Sequence, residues 1–565
     1  MMCGGLRAAA CHLLAAMAMV IACGVSVLQA STYVVMIPLD STIYDELDSL
    51  NGLGYLDTYF PEIKPISRVE AARLTLEAER NMRLDEHSEP LAVQMTRVLD
   101  EQLSEEVGWL RDNREDDAPP LIASFDRLEA QYAFTRGVRR YWNTGQGIGT
   151  SIHASEGTPL LDDADGIPTA SGSNEVMRAG GWIGAGDFLT LYGEGAVAGP
   201  ITRQVNGQQR FMPISAESVV SLGNQAISFG LEEKRWGTGY FAALSQGANA
   251  QPFPGVTWQN IHPKYLPWFL RYLGPGRRQI FMGQLDGSRP IGQHPWLVGH
   301  ILVFKPLPWF EFGYSREIMF GGHDNDHYGF SGFLGRFTGI DTGNATNGNT
   351  KSRGEIFLRF TIPRLRGLQI YQGMLGSDNL TGEIPGIGRF IPFKSVSYQG
   401  GFYLPRLTQD GLTDLRFEYA LLESNYDQHG SGEYWVYQNQ LMADPLGPNA
   451  TQVNLMLGRW FNLKSKLSGE LFYTEEAPQF AQNAPYPPQF YPYALTKEHS
   501  VGAALDLLRL PEKVPFLDDS LTSLRGRVAV EYADNINYES DAHSVRILIN
   551  LSLSISPSMT LWQLK

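Results

Sequence analysis

The sequence predicts a mainly β protein: a large transmembrane antiparallel β-barrel of roughly fifteen to eighteen strands, with a small N-terminal α-helical bundle before it. Three observations carry this expectation. From about Phe125 onward apolar and polar residues alternate with a period of two, and the polar positions are often charged. Several of these runs approach the roughly 9–11 residues with which a tilted strand crosses a bilayer. After residue 30 no apolar run is long enough for a transmembrane helix. An exported chain that spans a membrane without such helices does so as a closed barrel, which also satisfies every backbone hydrogen bond in lipid.

Residues 1–30 read as a secretory signal. Arg7 supplies a weak basic start, Leu13 to Val27 an apolar stretch, and Leu28-Gln29-Ala30 a cleavage site. A lipoprotein signal ending at Cys23, after Val20-Ile21-Ala22, is the competing reading. All three cysteines (Cys3, Cys11, Cys23) precede Ala30, so the mature chain is expected to have neither disulfides nor a thiolate metal site.

Residues 31–120 form the next unit, helical in pattern over 37–115. Asp40 is a candidate cap for a helix with Tyr44, Leu47 and Leu50 on its apolar face, ended by Asn51-Gly52. Ser67-Arg68-Val69-Glu70 has the form of a capping box opening a second helix. Pro90 suits the first turn of a third, whose apolar face is Leu91, Met95, Val98, Leu99, Leu103, Val107 and Leu110. Glu115 to Pro120 forms a linker. The three short amphipathic helices are expected to make a small bundle or plug.

Residues 121–565 hold the strands. Leu128, Ala130, Tyr132 and Phe134 alternate with Arg127, Glu129 and Gln131. Val545, Ile547, Ile549, Leu551, Leu553 and Ile555 alternate with Arg546, Asn550, Ser552 and Ser554. Similar runs lie at 355–362, 414–421, 466–473 and 527–532. A soluble sandwich also alternates, with its apolar face inward. Aromatics near strand ends (Trp182, Trp309, Phe310, Tyr434, Trp435, Trp460, Phe461, Tyr532, Trp562) favour an interfacial girdle instead. Polar faces with both charge signs favour a wet lumen. A propeller is disfavoured because no blade-length repeat is present. Long polar segments at 154–174, 321–350, 377–391, 426–449 and 474–498 are expected at the outward end. Met559–Leu564 is either a short last strand or a tail behind it.

The chain has 565 residues and a net charge of -15. Removing the leader takes one arginine and no acid, moving the charge to -16. An acidic chain lacks the basic excess that displaces counterions, so no nucleic-acid partner is expected.

No serine-hydrolase elbow or zinc-protease motif stands out, and no catalytic residue, metal or cofactor is predicted. His323, Asp324, Asp326 and His327 place imidazole and carboxylate groups close together, but in a Gly-rich loop such a group is more often simply solvated. Carbohydrate binding fits better, because sugars are held by aromatic faces and by planar amides, carboxylates and guanidinium groups. The stretch from Lys234 to Arg316 is rich in these. Its candidates are Trp236, Tyr240, Trp258 and Trp296 for stacking. Gln246, Asn249, Asn260, Gln284, Asp286, Arg289 and Arg316 are candidates for hydrogen bonding. For any single tryptophan a packing or girdle role is at least as good a reading.

The order of short motifs resembles the Wzi-type capsule-assembly family. These are Ile37-Pro38-Leu39-Asp40, Pro65-Ile66-Ser67-Arg68-Val69-Glu70-Ala71-Ala72, Arg235-Trp236-Gly237-Thr238-Gly239 and Asn249-Ala250-Gln251-Pro252. The resemblance implies an eighteen-stranded outer-membrane barrel closed at its periplasmic end by a helical bundle. It implies a surface lectin for capsular or other exported polysaccharide, with outer-membrane lipid around it and expected to be a monomer. The alternative is an outer-membrane porin or export channel. A periplasmic glycan-processing enzyme is a third reading.

Overall fold

The computed structural model describes residues 33–111, 121–142, 154–167, 169–186, 188–198, 211–287, 293–323, 351–377, 396–423, 433–477, 496–514, 520–556 and 559–564. Short pieces at 333, 337, 382–384, 388–390 and 428–429 are also described. The leader expected at residues 1–30 lies outside this set.

Eighteen antiparallel strands close into a barrel. They are β1 (Leu121–Arg136), β2 (Gly172–Ala185), β3 (Leu189–Ala198), β4 (Phe211–Leu222), β5 (Gln225–Leu231) and β6 (Pro254–Asn260). β7 (Pro275–Gln284), β8 (Trp296–Leu307), β9 (Phe310–Phe320), β10 (Lys351–Ile362), β11 (Leu368–Ser377) and β12 (Val396–Leu404) follow. The last are β13 (Thr413–Leu421), β14 (Ala450–Phe461), β15 (Ser465–Glu476), β16 (Glu498–Lys513), β17 (Leu521–Asp534) and β18 (His543–Ser556). Each pairs with its sequence neighbours, and β18 returns to β1 with Ile549 opposite Phe134 and Leu551 opposite Tyr132. Met559–Leu564 is a short final strand that pairs with the start of β1.

The alternation is inside out relative to a soluble sheet. On β18 Val545 and Leu551 are 53 % and 47 % exposed, whereas Arg546 between them is fully buried. The same holds on β1, where Tyr132 faces out and Arg127 and Glu129 face in. Apolar residues on the wall and charges in the lumen are what a bilayer-spanning barrel requires. No helix is long and apolar enough to cross a membrane among the described residues.

One end carries mostly short turns, such as 223–224, 308–309 and 462–464, and the other carries long connections. Short turns mark the periplasmic side of outer-membrane barrels. Against that end packs a bundle of α1 (Thr42–Gly52), α2 (Arg68–Leu84), α3 (Pro90–Gln102) and α4 (Ser104–Arg111). Leu47, Leu50, Leu74, Met95, Leu99 and Leu103 form its core, and Trp460 and Leu510 of the barrel complete it. Gly52 lies so close to the rim that a Cβ there would sit 2.7 Å from the Tyr403 ring. The apolar face predicted for one third helix is confirmed, but the helix breaks at Leu103 into α3 and α4.

One cap and one capping box differ from expectation. Ser41, not Asp40, caps α1, accepting from the Ile43 N–H, because Asp40 is drawn to Arg127 of β1. Ser67 caps α2 as predicted, accepting from the Glu70 N–H at 3.2 Å. The Glu70 carboxylate does not complete the box, because Arg73 (2.7 Å) and His262 (2.6 Å) hold it instead.

Before α1, residues 33–37 run as a strap inside the wall. The Tyr33 ring lies 5.8 Å from that of Trp182, and a Cβ on Gly184 would reach within 2.3 Å of it. Three expected girdle residues are therefore corrected. Trp182 packs on this strap, Trp435 is fully buried in the lumen, and Trp460 joins the bundle core. Trp309, Phe461 and Tyr532 do face outward. Period-two alternation fixes which residues share a face, but a strand-end aromatic turns inward wherever another element fills the lumen beside it.

Candidate functional site

The long connections do not simply project outward. Residues 232–253 and 435–449, with the segment 156–167, fold into the barrel and are largely buried. Residues Arg235–Trp236 pair with Ile63–Lys64 from the segment between α1 and α2, so the bundle and the luminal loop share a two-stranded sheet. Trp236 is at its centre. It is fully buried, its Nε1 donates to Gln279 Oε1 at 2.5 Å, and its ring lies 5.1 Å from that of Phe281. The Gln246 side chain donates to Glu317, and its backbone O accepts from the Trp236 N–H. Asn249 Nδ2 donates to the Leu441 carbonyl at 3.1 Å, tying the two inward loops together. Arg353 of β10 braces both, pairing with Glu317 at 2.5 Å and covering the Trp435 ring at 3.9 Å.

Tyr240 faces a luminal cavity of about 200 Å³. The Arg416 guanidinium stacks on its ring at 3.9 Å, and its backbone N–H donates to Glu418 at 2.7 Å. The other candidates lie elsewhere. Trp258 is on the outer wall near the periplasmic end, with Arg278 4.1 Å over its ring and Nε1 donating to Gln225. Asn260 is buried at the same end and holds the 261–274 turn through the His262 carbonyl and the Arg278 N–H. Gln284 and Trp296 face each other across β7 and β8 at the outward rim. There Gln284 donates to the His294 carbonyl and Asp286 accepts from the Gln438 N–H at 3.0 Å. Arg316 lies on the wall opposite His300 and donates to Ser352 at 3.0 Å. Arg289 lies outside the described residues, as do Asp324, Asp326 and His327.

The ten described candidates thus fall into five places: the packed lumen, a luminal cavity, the outer wall, the buried short-turn end and the outward rim. Contiguity in sequence did not make them contiguous in space, because consecutive strand residues face opposite sides and successive strands run in opposite directions.

The charged lumen was not singled out residue by residue. Arg140 meets Glu498 at 2.7 Å, Glu531 at 3.0 Å and Glu476 at 3.2 Å, and Arg546 adds Glu531 and Glu156. Near the strap, Arg127 joins Asp40, Glu129 and Glu194, while Arg178 pairs with Asp165 at 2.7 Å. Burial works against the charged form of Asp40, but Arg127 and Arg178 outweigh it and hold its carboxyl well below the usual range. The sequence signal for this network was a charge at alternate strand positions. Pairing across strands could not be read from it. Among the described residues no group of three or more His, Cys, Asp or Glu is placed to hold a metal ion.

Comparison with known proteins places this architecture. A family model described as "Capsule assembly protein Wzi" matches residues 143–544. A relative from Klebsiella pneumoniae, "Uncharacterized 55.8 kDa protein in cps region", is 27% identical over 210 residues. That match covers 37% of this chain and only 41% of the relative. The fold is that of the solved structure of Wzi from Escherichia coli, described as an outer-membrane protein involved in group 1 capsule assembly and a carbohydrate-binding β-barrel. It superposes with a TM-score of 0.63 at 18% identity, covering 93% of this chain and 100% of that one. The Pseudomonas aeruginosa barrel OprD reaches a TM-score of only 0.42 at 10% identity, over 78% of this chain and 98% of its own. With the family model spanning more than half of its length, the chain belongs to the Wzi family of capsule assembly proteins.

Proposed function

We propose that this protein is a non-enzymatic outer-membrane lectin. It binds exported capsular or other surface polysaccharide on its outward face and helps attach or assemble it at the cell surface. The observation that carries the reading is occlusion. The inward loops are locked to the wall by Trp236, Arg353 and the Arg140–Arg546 network, and the bundle is packed into the opposite end. A barrel filled in this way is suited to present a surface rather than to pass a polymer, which disfavours the export-channel alternative. The carbohydrate-binding description of the Escherichia coli Wzi structure supports the same reading. The outward rim supplies Gln284, Asp286 and Trp296 to the binding face. Trp236, Gln246 and Asn249 act beneath it by fixing the loops. Trp258 and Asn260 are at the far end and have no share in it. The protein works as a monomer embedded in outer-membrane lipid.

The test is binding of polysaccharide purified from the producing cells to the protein in detergent, together with surface retention in a deletion strain. Saturable binding and loss of cell-attached polymer are expected. Normal retention in the deletion strain would refute the reading, and large steady conductance from the intact protein would revive the channel.

A further inference from the structure

Beneath the inward loops lies a second, larger cavity, of about 620 Å³. It runs between the bundle and the wall formed by β16, β17, β18, β1 and β2, and its lining reaches exposed Ser104 and Glu105 of the bundle and exposed Lys513 and Ser556 of the rim. It is therefore entered from the short-turn end. Its volume falls within the range of about 300–1,000 Å³ typical of small-molecule sites.

One wall of it differs in chemistry from the rest of the lumen. Where other strands point charges inward, β18 lines this cavity with Asn550, Ser552, Ser554 and Ser556. Asn550 accepts from Gln131 at 2.9 Å, and Ser552 donates to Glu129 at 2.6 Å. Elsewhere in the lining, three buried side-chain atoms have no hydrogen-bond partner among the described residues. They are Arg178 Nε, a donor, and Asp40 Oδ1 and Asp126 Oδ1, both acceptors; Arg178 itself is only 4 % exposed. A buried polar atom left unmatched is destabilising. A group that both donates and accepts resolves all three, and sugar hydroxyls do so in an array. The lining holds eight carboxylates against five cations, which disfavours an anionic occupant.

We propose that this cavity is a saccharide-binding site open to the periplasm that takes a neutral segment of two or three sugars. It is separate from the outward face, and goes beyond the function proposed above. A neutral glycan segment meets the protein here before it reaches the surface.

The test uses the full chain in a sugar-free zwitterionic detergent. Saturation-transfer NMR is recorded with maltotriose, cellotriose and chitotriose, and with trigalacturonate as the anionic control. Transfer to at least one neutral trisaccharide is expected, with none to trigalacturonate. Ser552→Trp and, independently, Ser554→Tyr fill the cavity from its hydroxyl wall and should each weaken that signal at least tenfold while the heat-dependent gel shift of the folded barrel persists. Surface polymer retention by cells carrying either variant is expected to remain normal, so the two proposals fail separately. No transfer to any neutral trisaccharide, stronger transfer to trigalacturonate, or a signal unchanged in both filled variants would overturn the proposal.

Discussion

Glu62, in the segment between α1 and α2, meets Arg359 of β10 at 2.7 Å, and both side chains are almost fully buried. Together with the Trp236 sheet, this pair ties the segment joining α1 and α2, and with it the helical bundle, to the barrel wall. Removing one partner leaves the other charge buried and unpaired, which typically costs 3–5 kcal/mol, whereas removing both costs less. Arg359→Ala should loosen the bundle by about 3 kcal/mol. The double variant Glu62→Ala/Arg359→Ala should recover part of the loss. The rate of limited proteolysis within residues 42–111 reads this, and equal rates in the two variants would show that the pair is not coupled.

Trp236 and Trp258 should behave oppositely. Trp236→Ala removes a fully buried ring and orphans Gln279 Oε1, a change expected to cost about 3–5 kcal/mol and to release the inward loop. Trp258→Ala acts only on the outer wall, where it loses the Arg278 contact, and should leave glycan binding within twofold of the parent protein. Single-channel recordings and polysaccharide binding on both variants check this. Increased conductance is expected from Trp236→Ala alone.

The bundle carries two carboxylates with opposite pH signatures. Burial opposes ionisation of Glu70, but Arg73 and His262 outweigh it and hold the carboxyl at about 2. Its contribution is present above the ordinary carboxylate pKa near 4.5 and is lost as pH falls towards 2. For a group only 2 % exposed this amounts to about 3 kcal/mol. Glu46 is fully buried among the helices, with Gln102 donating to it at 2.8 Å, and burial pushes its carboxyl well above the usual range. The folded state favours its protonated form, so its contribution is greatest at acid pH and declines as pH rises. Glu46→Gln should therefore stabilise the helices at pH 7, and Glu70→Gln should flatten the loss below pH 4.5. Thermal melts of the helical circular-dichroism signal across pH test both signs.

Gly184 leaves room for the Tyr33 ring, since a Cβ there would lie 2.3 Å from it. Gly184→Val should displace the strap without breaking β2, where valine is a good strand former. Faster proteolysis near residue 33 with an unchanged heat-dependent gel shift is expected. An unchanged proteolysis rate would mean the strap shifts to make room rather than leaving the wall.

Much of the architecture is legible in the sequence because it rests on local rules. Alternation with charge on the polar face identified strands such as β1 and β18, and the absence of an apolar helix left a barrel as the way to span a membrane. Ser67 and the Leu91–Val107 face marked helices, although Leu103 ended one of them early. The Wzi motifs identified the family. The candidate site was legible only as a segment. Trp236, Gln246 and Asn249 are packed within an inward loop, Tyr240 faces a cavity, and Trp258 lies on the outer wall at the short-turn end.

The sequence by itself determined the class of the fold, because period and charge sign are properties of neighbours along the chain and the bilayer dictates which face is apolar. Only the tertiary structure decided what fills the barrel. That depends on pairings such as Glu62 with Arg359, separated by 297 residues, and on serines of β18 that share a cavity with Arg178 and Asp126 only once the sheet has closed. Burial of a charge is favourable or ruinous according to the partner it meets there, and no local pattern encodes that partner.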